Sequence, residues 1–219
     1  MKKVEVVEKK RWLSASGVVD RKRQSRKSTA RAEMPLPDYV IRRLPNYYRY
    51  FESANKAGLG YVTSSDISDA LQISVPVIKQ DFSYFGGTGV QGSGYNVVYL
   101  LDYLKKLCGF VQVKKVVVVS DTELGKALVA VYKAAPYMSV EIKASKDIDS
   151  LAEADIVVID TTKDLTTAEV YEKVIEKGIT NIINLTSVHL QGKDNIIIEQ
   201  NDIELSFLYM VAKINNTEK

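Results

Sequence analysis

Lys79 and Gln80 stand side by side where a short helix is expected, and both are residue types that read base edges in a DNA major groove. Gln suits adenine and Lys suits guanine. They lie within the stretch from Ser64 to Asn96, which reads as two short helices, a tight turn and a glycine-rich loop. Ser64 or Ser65 is expected to cap the first helix, with Ile67, Ala70 and Leu71 on one face. Gln72-Ile73-Ser74 makes the turn. The second helix begins near Val75 with Pro76 in its first turn, where a missing N–H costs nothing, and runs to about Phe85. Ile78, Phe82 and Phe85 form its buried face, which puts Lys79 and Gln80 outside, as in a recognition helix. Ser83 and Tyr84 end that helix beside the same surface. Gly86, Gly87, Gly89, Gly92 and Gly94 then break the helix and suit a hairpin, the wing of a winged helix.

A second constellation follows the four valines Val116–Val119. A dinucleotide fold needs G-x-G-x-x-G there: one glycine turns, the next lets backbone approach pyrophosphate, and the third allows close helix packing. The chain has Ser120-Asp121-Thr122-Glu123-Leu124-Gly125, keeping only the third. Ser120 and Thr122 put side chains where backbone must meet phosphate. Asp121 and Glu123 add negative charge, and at ~5 Å and an effective dielectric of ~20 each repulsion is of order 3 kcal/mol. The helix N-terminus offers only about 0.3–1 kcal/mol in return. Where an acid should hold the adenosine ribose, about 20 residues on, stands Ser145. Lys143 and Lys146 nearby would suit a 2′-phosphate, without a cradle for the pyrophosphate. Asp160-Thr161-Thr162-Lys163 brings one more carboxylate to the cleft. Ordinary NAD(H) binding is expected to be weakened or lost.

The elements that must position these residues follow from pattern. At 219 residues, with 46% hydrophobic and 26% charged side chains, the chain has room for two small soluble domains. No apolar run approaches a membrane span, and the single cysteine, Cys108, excludes an internal disulfide framework and fits a reducing cytoplasm. The net charge of +3 hides a segregation: residues 1–33 hold 11 Lys/Arg against 4 Asp/Glu, and the remainder holds 19 against 23. The basic run from Arg21 to Lys27, with Arg31, is either a solvated tail or an arm adding phosphate contacts. Met34, where the compact region begins, is an alternative start.

Asp38 is expected to cap a helix that Pro45 kinks or restarts, continuing through Tyr47, Tyr48, Tyr50 and Phe51 to Gly58. The tyrosines read as core and phosphate-side packing, and Arg42, Arg43 and Arg49 as backbone contacts or a hinge. Tyr95 to Leu107 reads as a linking helix with a Val98, Leu101, Leu104, Leu107 stripe. From Lys115 strands alternate with helices: strands at 116–119, 140–144, 156–159, 182–185 and 196–199, helices at 123–134 and 167–177. The four-valine run marks a strand buried on both faces of a parallel sheet. The fold class is therefore α/β, a winged-helix DNA-binding domain followed by a Rossmann-like doubly wound sheet. A closing helix from Asp202 to Ile214 carries Phe207, Leu208, Val211 and Ile214, to cover its own sheet or, preferentially, a partner. The domains expected are a basic flexible arm at 1–33, the winged helix at 34–96, a linker helix at 97–109, the Rossmann-like domain at 110–201 and a dimerisation helix at 202–219.

This arrangement resembles the redox-sensing transcriptional repressor Rex, from about Leu36 onward. The matching residues are Asp81-Phe82-Ser83-Tyr84-Phe85-Gly86, Gly94-Tyr95-Asn96-Val97, Arg43-Leu44-Pro45-Asn46-Tyr47-Tyr48-Arg49-Tyr50 and Asn184-Leu185-Thr186. The resemblance implies a homodimer with an exchanged terminal helix, holding a palindromic operator when NADH is scarce and leaving it when NADH accumulates. It implies that Lys79 and Gln80 occupy positions where the family has two basic residues, and that Val90-Gln91 forms a wing tip that is usually basic. The arm at 21–31 would then compensate, so removing residues 1–33 weakens operator binding and flattens its salt dependence. An NAD-linked reductase is disfavoured, because His189 is the only histidine and no acid–base pair accompanies it. A protein-interaction module without DNA binding is the third class.

Overall fold

The computed structural model describes residues 35–86, 89–90, 92–143, 147–148, 153–162, 164–192 and 195–217. Gln91, Ser145, Lys146, Lys163 and the basic arm lie outside the described residues. The chain divides into two compact units between Gly109 and Phe110.

In the first unit, α1 (Asp38–Ile41) and α2 (Leu44–Lys56) are separated by a two-residue break, and Pro45 sits in the first turn of α2 rather than kinking one long helix. Pro37, not Asp38, is the cap of α1; Asp38 is its first helical residue and pairs with Arg42 at 2.9 Å. Then come β1 (Tyr61–Val62), α3 (Ser64–Leu71), α4 (Val75–Tyr84), β2 (Gly89–Val90), β3 (Gly94–Asn96) and α5 (Val97–Leu107). The cap of α3 is Thr63 rather than either serine, because Thr63 and Asp66 form a reciprocal capping box. Gln72 turns the chain with φ of 55°. The small sheet has the order β1-β3-β2, all antiparallel, and β2 with β3 forms the wing. Gly94 is required there, since φ is +84° and a Cβ would stand 2.3 Å from the Val62 carbonyl oxygen.

The helix expected from Tyr95 begins two residues later. Tyr95 belongs to β3, and Asn96 caps α5 by accepting from the Tyr99 N–H. That offset changes the stripe: Val97, Leu100 and Leu104 are buried, whereas Val98 is 64% exposed. Those three join Val40, Tyr47 and Phe82 in one core, so α5 is an integral wall of this unit.

The second unit carries β4 (Lys114–Ser120), α6 (Glu123–Tyr132), β5 (Met138–Lys143), β6 (Ile156–Asp160), α7 (Asp164–Glu176), β7 (Asn181–Asn184), β8 (Ile197–Gln200) and α8 (Ile203–Thr217). The strands are parallel in the order β5-β4-β6-β7-β8. The four valines explain the layering. Val117 and Val119 pack with Val170 and Val174 of α7 on one face, while Val116 and Val118 pack with Leu128 and Val129 of α6 on the other. Alternate side chains of one strand thus serve two cores, which is why the run is uninterrupted. α8 leaves its stripe uncovered within the chain: Phe207, Leu208, Val211 and Ile214 are 55–68% exposed. Among the described residues no helix is long and apolar enough to cross a membrane.

Candidate nucleic-acid interface and nucleotide cleft

On α4 the apolar face anchors the helix and the opposite face is free. Ile78 and Phe82 are buried, and Phe82 meets Tyr47 and Tyr95 edge-on at ring distances of 5.1 and 4.6 Å. Lys79, Gln80 and Ser83 are exposed, and the Ser83 hydroxyl donates to the Gln80 carbonyl at 2.6 Å. Tyr84 is half-buried, its hydroxyl 3.2 Å from that of Tyr39. Arg42 and Arg49 are exposed.

Arg43 points inward. Its Nε and one terminal nitrogen donate to the two carboxylate oxygens of Asp81 at 2.6 and 2.7 Å. The Tyr47 hydroxyl donates to the same carboxylate at 2.5 Å, and Asp81 itself has no exposed surface. The hydrogen bond to Asp81 raises the Arg43 pKa further above its already high value. Burial, then the bond to Asp81, raises that of Tyr47, so the hydroxyl stays a donor. Cys108, behind the same core, has its thiol pushed up to about 11 by burial.

In the second unit the chain leaves β4 for the edge strand β5 and returns to β6 on the other side of β4. The carboxyl ends of β4 and β6 therefore border the crevice at which such sheets bind ligands. Ser120 and Asp160 are register partners at those two ends. The Ser120 hydroxyl donates to Asp160 Oδ2 at 2.7 Å, and the Thr122 hydroxyl donates to the same oxygen. Two backbone donors of the loop are also engaged: Thr122 N–H reaches Ser120 Oγ at 3.0 Å and Gly125 N–H reaches Thr122 Oγ1 at 3.3 Å. Thr122 is thus the N-cap of α6. Gly125 cannot be anything larger: a Cβ would stand 2.1 Å from Ser120 Oγ and 3.1 Å from Asp160 Oδ2.

Ser120 and Asp160 are buried, whereas Glu123 and Leu124 are exposed, Glu123 pairing with Lys126 at 2.6 Å. The carboxylate set against the loop backbone is therefore Asp160, 40 residues away, more than the neighbouring Glu123. At the far strand ends Asn184 donates to Val188 O and Gln200 Oε1, and accepts from the Thr186 hydroxyl and N–H. His189 is exposed nearby. Among the described residues no group of three or more His, Cys, Asp or Glu is placed to hold a metal.

A family model described as "putative DNA-binding protein N-terminus" matches residues 35–83, the span from Pro35 through the exposed face of α4. The redox-sensing transcriptional repressor Rex of Staphylococcus aureus strain JH9 is 31% identical, over 83% of this chain and 97% of its own length. This chain belongs to the Rex family. The same identity and coverage hold for the Rex of strain USA300. In fold, the chain is similar to RSP crystallised with β-NAD+ and operator DNA, with a TM-score of 0.75 at 24% identity, covering 84% of this chain and 95% of that one. A second structure of RSP, described as a Rex-family repressor, gives 0.70 at 22% identity, over 84% and 96%. Rex proteins are repressors rather than enzymes, so the reductase reading is set aside.

Two residues of this Rex-family chain to which the sequence assigned no role, Asp81 and Thr63, now stand out. Asp81 lies three positions after Ile78 and directly before Phe82, on the buried side of α4, where an acid demands partners. Arg43 and Tyr47, one helical turn apart, supply them. Thr63 was signalled by its Thr-x-x-Asp spacing.

Proposed function

We propose that this Rex-family protein is a dimeric, operator-binding repressor in which the response to NADH and NAD+ is weakened or lost. DNA recognition is carried by α4: Lys79 and Gln80 read base edges, with Ser83 and Tyr84 beside them and Arg42 and Arg49 on phosphates. Two copies place two such helices in successive major grooves of a palindrome. The apolar stripe of α8 supplies the dimer contact.

The observation that carries the loss of redox response is the ring of bonds joining Ser120, Thr122 and Asp160. A pyrophosphate is held by loop N–H groups at a helix N-terminus. Here the N–H groups of Thr122 and Gly125 are met by the chain's own hydroxyls, and a buried carboxylate lies against them. These residues do not fit a dianionic pyrophosphate. Binding would have to break the cap, worth about 1 kcal/mol, and set phosphate beside Asp160, a repulsion of about 3 kcal/mol at ~5 Å and a dielectric of ~20.

Calorimetric titration of the purified dimer with NADH, NAD+ and NADPH tests this. No saturable binding below about 1 mM is expected. Micromolar binding of NADH would favour the fully NADH-responsive repressor instead.

A further inference from the structure

Arg43 belongs to the arginines expected on DNA phosphates, yet its guanidinium fork is closed on a buried carboxylate of the recognition helix. The pair is bidentate, and Tyr47 adds a third donor to the same group. Tyr39 completes the arrangement. Its ring lies 5.3 Å from the Arg43 guanidinium carbon, and its hydroxyl meets that of Tyr84, three residues beyond Asp81 on α4. Residues 39, 43 and 47 are spaced by four, so they form one row across the α1–α2 break. The row grips α4 at two successive points of one face. Asp81 is the buried one of those points, and Tyr84 lies one turn beyond the exposed Gln80.

We propose that Arg43 is a positioning residue for DNA recognition: with Tyr39 and Tyr47 it fixes the rotation and tilt of α4 through Asp81, and it makes no phosphate contact of its own. The proposal rests on the repressor reading above. Its physical basis is geometric. A bidentate guanidinium–carboxylate pair constrains direction as well as distance, which a single contact or a lysine does not. Apolar packing of Ile78 and Phe82 alone holds the helix down without defining its rotation so tightly. Base reading needs that rotation, because a side chain misplaced by an ångström loses a hydrogen bond to a base edge, whereas attraction to the phosphate backbone tolerates it.

The test uses the full-length protein and a duplex selected by the wild type from a random-sequence pool, with an unrelated duplex as the non-specific competitor. Affinities for both are measured over a series of salt concentrations for wild type, Arg43→Gln, Asp81→Asn, the double variant and Tyr47→Phe. Folding of each is checked by circular dichroism at the same temperature. Positioning predicts that Arg43→Gln and Asp81→Asn each lower the ratio of specific to non-specific affinity about tenfold or more. The double variant loses no more than the worse single one, as expected of residues acting as one unit. The salt slope for non-specific DNA stays that of the wild type. Tyr47→Phe, which keeps the ring and its packing, gives a smaller loss of the same kind and serves if the charged variants fail to fold.

Asp81→Asn separates the alternatives most sharply. It removes a negative charge from a DNA-binding unit, so electrostatics alone predicts equal or tighter binding. A drop of about one in the salt slope for Arg43→Gln, with Asp81→Asn binding as well as wild type, would make Arg43 a phosphate contact and overturn the proposal. Unchanged specificity in folded variants that are merely less stable would overturn it too. Failure of the wild type to select any duplex would bring down the repressor reading itself, and this inference with it.

Discussion

Among the described residues each unit contains one buried carboxylate tied down by neighbouring donors, and the two are set differently. In the first unit Asp81 accepts from Arg43 and Tyr47, and all three face inward, so the outer face of α4 is left to Lys79 and Gln80. In the second, Asp160 accepts from Ser120 and Thr122 at the crevice itself, and the hydroxyls also take up the loop N–H groups. The same chemistry, a desolvated acid satisfied by its own chain, lies behind an exposed helix face in one place and at the mouth of the crevice in the other, and the proposals above give the two opposite consequences. A polar network therefore indicates function only through what it leaves free.

Emptying the second network is the strongest way to break this comparison. The combined change Ser120→Gly, Thr122→Gly and Asp160→Ala restores two glycines and removes the carboxylate. NADH affinity is expected to rise about a hundredfold, matching the repulsion of ~3 kcal/mol removed; calorimetry reads it directly. Unchanged affinity would mean that Asp160 is not what excludes the nucleotide. Gly125→Ala is expected to destabilise the second unit by about 2–3 kcal/mol, because the new methyl group overlaps Ser120. Hydrogen exchange at the β4 amides should speed up, while exchange in α4 stays as it was.

On the first unit, Lys79→Ala is expected to cost about 1–3 kcal/mol at one base position and to relax sequence preference there. Equal weakening on all duplexes would make Lys79 a phosphate contact instead. The smallest effect at neutral pH becomes visible only in alkali. Burial raises the Cys108 thiol from 9.0 to about 11, so between those values the unfolded chain loses a proton that the folded one keeps. Stability is full below pH 9 and falls as pH rises towards 11. Urea titrations at stepped pH should show the midpoint falling over that window, and falling less in Cys108→Ala.

What the sequence made legible was whatever rests on local pattern. Pro76, the spacing of Ile78, Phe82 and Phe85, and the glycines beyond them defined α4 and its outward face, and the four valines announced a strand with two buried sides. Errors arose where two local rules competed. Asn96 is a better cap than any residue before it, so α5 starts after Tyr95, and its stripe shifts to Val97, Leu100 and Leu104. The pairs that matter most were out of reach for a different reason. Arg43 meets Asp81 across 38 residues and Ser120 meets Asp160 across 40, and neither periodicity nor a motif joins positions so far apart. Asp121 and Glu123 drew attention as the charges nearest the loop in sequence, and Asp160, read as one more carboxylate at the cleft, is the one whose Oδ2 accepts from Ser120 and Thr122.

The most direct test of the central claim is an operator-binding titration with the purified protein, repeated with NADH and with NAD+ at millimolar concentration. Tight, sequence-specific binding that neither nucleotide alters is the expected result: the DNA-reading face kept and the crevice filled from within. Release of the operator by NADH would contradict the account, because the nucleotide would then be bound by a loop whose donors and charge oppose it.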